Sequence, residues 1–168
     1  IGAYLAQTAI QFGMQVWGVN STGHEVAGFT ETYQASALPQ ILPQVDIIVV
    51  TLPATKETYH LLNKDNLPHC KPTAILFNVG RGSVIDTADL LESLKAGRPG
   101  AAILDVFEEE PLSADSELWE MDNVFISPHN SWISEQRDNR RFNLIYENLK
   151  AFIQNKPLKN VVDIKRGY

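Results

Sequence analysis

Three side chains in this sequence are of types that could act on one small molecule. They are Arg81 in Asn78-Val79-Gly80-Arg81-Gly82, Glu110 in Asp105-Val106-Phe107-Glu108-Glu109-Glu110-Pro111-Leu112, and His129 in Ser127-Pro128-His129. A guanidinium presents a planar fork of N–H donors that matches a carboxylate. An imidazole held by a carboxylate gives and takes a proton near neutral pH. Together they suit chemistry in which a carboxylate is gripped while a neighbouring carbonyl oxygen receives a proton. Glycines flank Arg81, so the backbone there can approach a ligand without Cβ atoms in the way.

Each of the three follows a short apolar run of strand character: residues 74–77, Ala101–Leu104 and Val124–Ile126. In an open α/β sheet, ligands bind beyond the carboxyl ends of the strands. Three neighbouring strands would therefore aim an Arg, a Glu and a His at one crevice.

The rest of the chain supplies the frame. A helical pattern over residues 4–12 ends at Gly13, and a strand is expected over 14–19. Residues 26–34 read as an irregular or helical connection, with a short helix within 33–42. The run Val45-Asp46-Ile47-Ile48-Val49-Val50 is nearly continuous in apolar residues. That is the pattern of a central parallel strand buried on both faces. A short helix is expected over 56–62 and a strand over 71–77. Asp86 should cap a helix bearing Leu90, Leu91 and Leu94, closed by Gly97. A last strand over 123–127 precedes a long helix over about 135–154, with Phe142, Ile145, Leu149 and Phe152 on one face. Residues 156–168 read as a tail. Strands alternating with helices predict an α/β fold, a Rossmann-type doubly wound parallel sheet.

Other residues receive plainer readings. His60 and His69 have no evident partner in sequence and are expected at the surface. Glu108 and Glu109 are expected to face solvent, Leu118-Trp119 to pack in the core, and Trp132 to wall a pocket or join the core. The 168 residues suffice for one domain with its own core. A hydrophobic content of 44% with 20% charged residues reads as globular. The net charge of -6 argues against non-specific nucleic-acid binding. No apolar run approaches the ~20 residues that span a membrane, and the single Cys70 cannot form an internal disulfide. No Cys/His cluster suggests a metal. A cytoplasmic location is the default expectation.

The chain resembles the D-isomer-specific 2-hydroxyacid dehydrogenases. That family carries N-x-x-R-G-x-x-V-D, D-V-F-x-x-E-P-L and P-H blocks in order, matched here by Asn78 to Asp86, Asp105 to Leu112 and Pro128-His129. An earlier block from Leu52-Pro53 to Asn63 matches L-P-x-T-x-x-T-x-x-L-x-N. The resemblance implies hydride transfer between a nicotinamide cofactor and a 2-oxo acid, of glyoxylate, hydroxypyruvate or 3-phosphoglycerate type. Arg81 would grip the substrate, His129 would be the acid, and Glu110 its partner. Leu52, Pro53, Val79, Gly80, Asp105 and His129 would lie along the cofactor, and the working form would be a homodimer. The family also contains nucleotide-sensing corepressors that keep the three site residues, which gives an alternative reading as an interaction module.

Gly2 fits the third glycine of G-x-G-x-x-G, which places the first strand and first two glycines upstream of Ile1. Residues 1–133 are then an incomplete dinucleotide-binding domain, and 134–168 a helix and tail reaching toward a substrate domain whose first half is not in this chain. An isolated piece of that kind could be inactive. At the end of the 14–19 strand, NAD sites usually carry Asp or Glu for the ribose. This chain has Asn20-Ser21-Thr22, which removes a charge that would repel a 2′-phosphate. No Arg follows, so NAD or NADP both remain, with the balance toward NADP.

Overall fold

The computed structural model describes residues 1–165. Of the expected tail, Arg166, Gly167 and Tyr168 lie outside the described residues. The chain divides into two compact units, one running from Ile1 to Pro128 and the other starting at His129.

The first unit holds six strands: β1 (Trp17–Asn20), β2 (Glu31–Gln34), β3 (Ile47–Val50), β4 (Ile75–Asn78), β5 (Ala101–Leu104) and β6 (Val124–Ile126). Its helices are α1 (Gly2–Gln11), α2 (Leu38–Ile41) and α3 (Thr87–Lys95). All strand pairings are parallel, in a two-stranded sheet β1-β2 and a four-stranded sheet β3-β4-β5-β6. Parallel neighbours need a crossover between them, and these crossovers are right for a doubly wound α/β fold. The core gathers Leu76, Ala102 and Leu104 of the sheet with Leu90 and Leu94 of α3 and Leu67, Val84 and Leu118 of the connections. Cys70 is buried there, and burial pushes its thiol up to about 11.

α3 is built as its sequence requires. The Asp86 carboxylate accepts from the Asp89 backbone N–H at 3.0 Å, a side-chain N-cap, and Gly97 follows the helix at φ +73°.

Four expectations change. Residues 31–34 form β2, not a connection, pairing with β1 from Trp17↔Glu31 to Asn20↔Gln34. Four half-exposed residues are too few to show a period in sequence, and only pairing reveals the strand. The 45–50 run is not buried on both faces. β3 borders the four-stranded sheet, and Ile47 and Val49 are 48% and 37% exposed. Among the described residues no strand bonds the two-stranded sheet to the four-stranded one. Residues 56–60 make a hydrogen-bonded turn and not a helix. Thr55 and Thr58 bond each other's backbone and side chains, and His60 at φ +48° turns the chain into a bridge between Leu62 and Ile85. Trp119 is 49% exposed, donating its indole N–H to the Ser113 carbonyl, while Leu118 alone joins the core.

The second unit is α4 (Arg137–Ile153) with its flanks. Before the helix, Trp132 donates its indole N–H to the His129 carbonyl at 2.6 Å, and Arg137 lies over the Trp132 ring at 4.7 Å. After the helix, Asn148 holds the returning tail by both side-chain atoms, at Lys159 O and Lys159 N. Phe142, Ile145, Leu149 and Phe152 recur at helical spacing as read from sequence, and all four are exposed.

Candidate active site at the strand ends

The carboxyl ends of β3 to β6 are tied into one rim by backbone bonds. Val79 N donates to Val50 O at 3.1 Å, Asp105 N to Asn78 O at 3.0 Å, and Ser127 N to Leu104 O at 3.0 Å. These bonds continue each strand pairing one residue beyond the strands, into the segments where the sequence motifs lie.

Asn78 shapes the turn that carries Arg81. Its side chain is 1% exposed, accepts from Gly80 N at 3.1 Å and donates to Arg81 O at 3.1 Å. A short polar side chain bonding its own downstream backbone is the usual device for fixing a turn. The sequence signal for this role is local, an Asn directly before a glycine-containing turn at a strand end. The Arg81 side chain is exposed and donates to Gly80 O at 2.8 Å.

The glycines on either side of Arg81 answer to close backbone contacts. A Cβ on Gly80 would lie 2.8 Å from Leu52 O, and one on Gly82 would lie 1.8 Å from the carbonyl carbon of Phe107. The Arg81 turn is therefore wedged between the Leu52 segment and the loop that carries Glu110. Within that loop the Glu110 carboxylate accepts from Phe107 N at 3.0 Å. Asp105 is 2% exposed, and its Oδ1 accepts from the Ser127 hydroxyl at 2.5 Å.

Arg81, Glu110, Asp105, Leu52, Pro53, Val79 and Gly80 thus belong to one rim of the first unit. His129 follows Pro128 in the chain, three residues beyond the last residue of β6, and opens the second unit. Gly2 begins α1, where a Cβ would meet Thr51 Oγ1 at 3.2 Å. The first turn of α1 has no acidic residue. A helix N-terminus beside strand ends fits the phosphates of a dinucleotide. Asn20, Ser21 and Thr22 lie at the end of β1. Asn20 Oδ1 accepts from Thr22 N at 3.0 Å and Gly23 N at 2.7 Å, while its amide donates to His24 O at 2.9 Å. Its side chain folds this turn, and the Thr22 hydroxyl pairs with His24 Nδ1 at 2.8 Å.

Two residues depart from their sequence reading. His60 is not an isolated surface histidine. Its Nδ1 lies 3.1 Å from Asp86 and its Nε2 2.5 Å from Glu108. Glu108 is not merely solvent-facing, because its second oxygen accepts from Thr87 N at 2.7 Å. Burial alone would raise the Glu108 carboxyl, but the bonds from Thr87 and His60 outweigh it and hold the group below its ordinary range. His60 and Glu108 are 48 residues apart in sequence, and no local pattern announces the pair. Among the described residues no group of three or more His, Cys, Asp or Glu could hold a metal ion, and no helix is long and apolar enough to cross a membrane.

A parallel sheet with its polar residues collected at the strand carboxyl ends defines a nucleotide-binding α/β domain. The profile of the D-isomer specific 2-hydroxyacid dehydrogenase NAD binding domain matches residues 1–131, and the chain belongs to that family. A glyoxylate reductase of Korarchaeum cryptofilum is 35% identical over 163 residues, covering 97% of this chain and 49% of the relative. The crystal structure of a D-isomer specific 2-hydroxyacid dehydrogenase family protein from Aeromonas salmonicida is 48% identical, with a TM-score of 0.89 over 97% of this chain and 52% of that one. An NADPH-dependent glyoxylate/hydroxypyruvate reductase from Sinorhizobium meliloti, solved with NADP and sulfate, is 34% identical with a TM-score of 0.88, over 99% of this chain and 54% of that one. The chain spans about half the length of these relatives.

Proposed function

We propose that this chain is the nucleotide-binding half of a reductase that interconverts a small 2-oxo acid and its D-2-hydroxy acid. The observation that carries the reading is the wedge of Gly82 against Phe107, which sets the Arg81 turn and the Glu110 loop side by side on one rim. A bound nicotinamide cofactor would supply the hydride. The α1 N-terminus would face its phosphates, and Leu52, Pro53, Val79, Gly80 and Asp105 would line it.

Arg81 forks onto the substrate carboxylate, which fixes the neighbouring carbonyl carbon for attack. His129 gives its proton to the carbonyl oxygen as charge develops there, and takes it back in the oxidation direction. The family resemblance gives Glu110 the role of orienting this histidine. NADP(H) is the preferred cofactor in this reading. Asn20 brings no charge to repel a 2′-phosphate, and the Sinorhizobium relative was solved with NADP. The free thiol of the single cysteine fits a reducing compartment such as the cytoplasm. The family resemblance implies a homodimer.

The test is a steady-state assay of the full-length protein, following NADH and NADPH with glyoxylate and hydroxypyruvate. His129→Ala should lower turnover by about 10² to 10⁴, the range of general acid–base catalysis. Unchanged turnover in that variant would remove His129 as the acid, and no oxidation of either cofactor by the unmutated protein would remove the reductase reading.

A further inference from the structure

His60 joins three segments that are distant in sequence. It ends the 55–60 turn at φ +48°, and its backbone N–H donates to Ser83 O at 2.9 Å, two residues past Arg81. Its ring is stacked on Tyr59 at 3.9 Å between centroids, with 16° between the planes. On one side of the ring is Asp86, the N-cap of α3, and on the other is Glu108 in the loop after β5. Ionised carboxylates only accept, so both contacts are hydrogen bonds when both ring nitrogens carry protons. Glu108 is gripped from a second direction by Thr87 N, the first residue of α3. Two residues further on is Glu110, whose carboxylate closes the same loop onto Phe107 N.

We propose that His60 is a positioning residue for the reaction: acting through Glu108, it fixes the loop that carries Glu110 against the Arg81 turn. This rests on the reductase reading given above. The side chains of His60, Asp86 and Glu108 are 26%, 26% and 28% exposed. Ion pairs in that range are screened by water and add little to global stability. Catalytic geometry is far less forgiving, since a misplacement of about 1 Å can cost about 100-fold in rate. A clamp of this kind should therefore show more strongly in turnover than in folding.

The ring reaches its two partners through different nitrogens, and this provides the test. In His60→Gln the side-chain amide replaces Nε2 and keeps a donor for Glu108. In His60→Asn it replaces Nδ1 and reaches Asp86 alone. These variants, His60→Ala, Glu108→Gln and the double variant His60→Ala/Glu108→Gln are compared in the full-length protein with NADPH, NADH and glyoxylate. The expected result is a loss of kcat of about 10- to 100-fold in His60→Ala and His60→Asn. His60→Gln should recover most of that rate, and KM for the cofactor should be unchanged. Glu108→Gln should resemble His60→Ala, and the double variant should be no worse than either single one.

An unchanged kcat in His60→Ala overturns the positioning role, even if its melting temperature falls. Equal losses in the Asn and Gln variants, or losses that multiply in the double variant, overturn the route through Glu108. An unmutated protein that oxidises neither cofactor overturns the reductase reading and the positioning role with it. Amide hydrogen exchange of residues 106–110, measured alongside, then decides the clamp by itself. Faster exchange in His60→Ala keeps it, and unchanged exchange removes it.

Discussion

Gly82 lies against the Phe107 carbonyl so closely that a Cβ at position 82 would sit 1.8 Å from the carbonyl carbon and 1.9 Å from its oxygen. The obstructing atoms are backbone, so no side-chain rotation can make room. Gly82→Ala must push the Glu110 loop away from the Arg81 turn. We expect a loss of at least about 1–3 kcal/mol in stability, the scale of overpacking, together with a fall in kcat. Gly100→Ala is the control. A Cβ there would lie 2.0 Å from Pro72 O, at the opposite end of β5. It should lower the urea midpoint while leaving kcat of the folded fraction intact. Equal effects of both substitutions on kcat would mean that the wedge has no special link to the site.

Arg81 is an exposed residue on a turn that is held by its own backbone bonds. Its backbone carbonyl accepts from Asn78, and its Nη1 donates to Gly80 O. Arg81→Lys keeps the charge but loses the fork. The expected outcome is a rise in KM for the 2-oxo acid of about tenfold or more, on the scale of one charged hydrogen bond, with cofactor affinity unchanged. A KM for the substrate equal to that of the unmutated protein would count against a clamp.

The Asn20 turn suggests a clean substitution. Asn20 Oδ1 accepts from Thr22 N and Gly23 N, and an aspartate would keep both bonds. The donation to His24 O is lost, and the second carboxylate oxygen has to turn away from that carbonyl toward solvent. Asn20→Asp should therefore preserve the turn while adding a charge that opposes a 2′-phosphate. Preference should move toward NADH by about an order of magnitude or more, because facing like charges costs several kcal/mol when desolvated. An unmoved NADH to NADPH ratio of kcat/KM would show that the Asn20 turn does not meet the ribose.

Glu108 gives a pH dependence of known sign. Burial would raise its carboxyl, and the bonds from Thr87 and His60 bring it below the ordinary 4.5. A depressed carboxyl contributes stability that is present above its unfolded value and is lost as pH falls through its folded value. Thermal melts of the unmutated protein and Glu108→Gln should differ near pH 5 and converge as pH falls below about 4.5. A difference that grows toward acid would reverse the assigned sign.

Much of the frame around the candidate site is legible in residue types and spacing, because those features are local. The Asp86 cap acts over three residues, the Asn78 turn over two or three, and the apolar runs ahead of Asp105 and Ser127 each end in their motif. Local bonds leave local patterns, and strands with one buried face keep their period. Arg81 and Glu110 were placed by that logic on strand ends, and the parallel order of β4, β5 and β6 sets those ends side by side. What the tertiary structure decided is which distant segments meet. β2 exists because β1 lies beside it, and the exposure of Ile47 and Val49 follows from β3 having one hydrogen-bonded neighbour among the described strands. In sequence His60 reads as a lone surface histidine, and Glu108, like Glu109, as a solvent-facing glutamate. The fold brings them together across 48 residues. A sequence pattern fixes what a side chain can offer, but its partner depends on chain crossovers, which no window of neighbouring residues encodes.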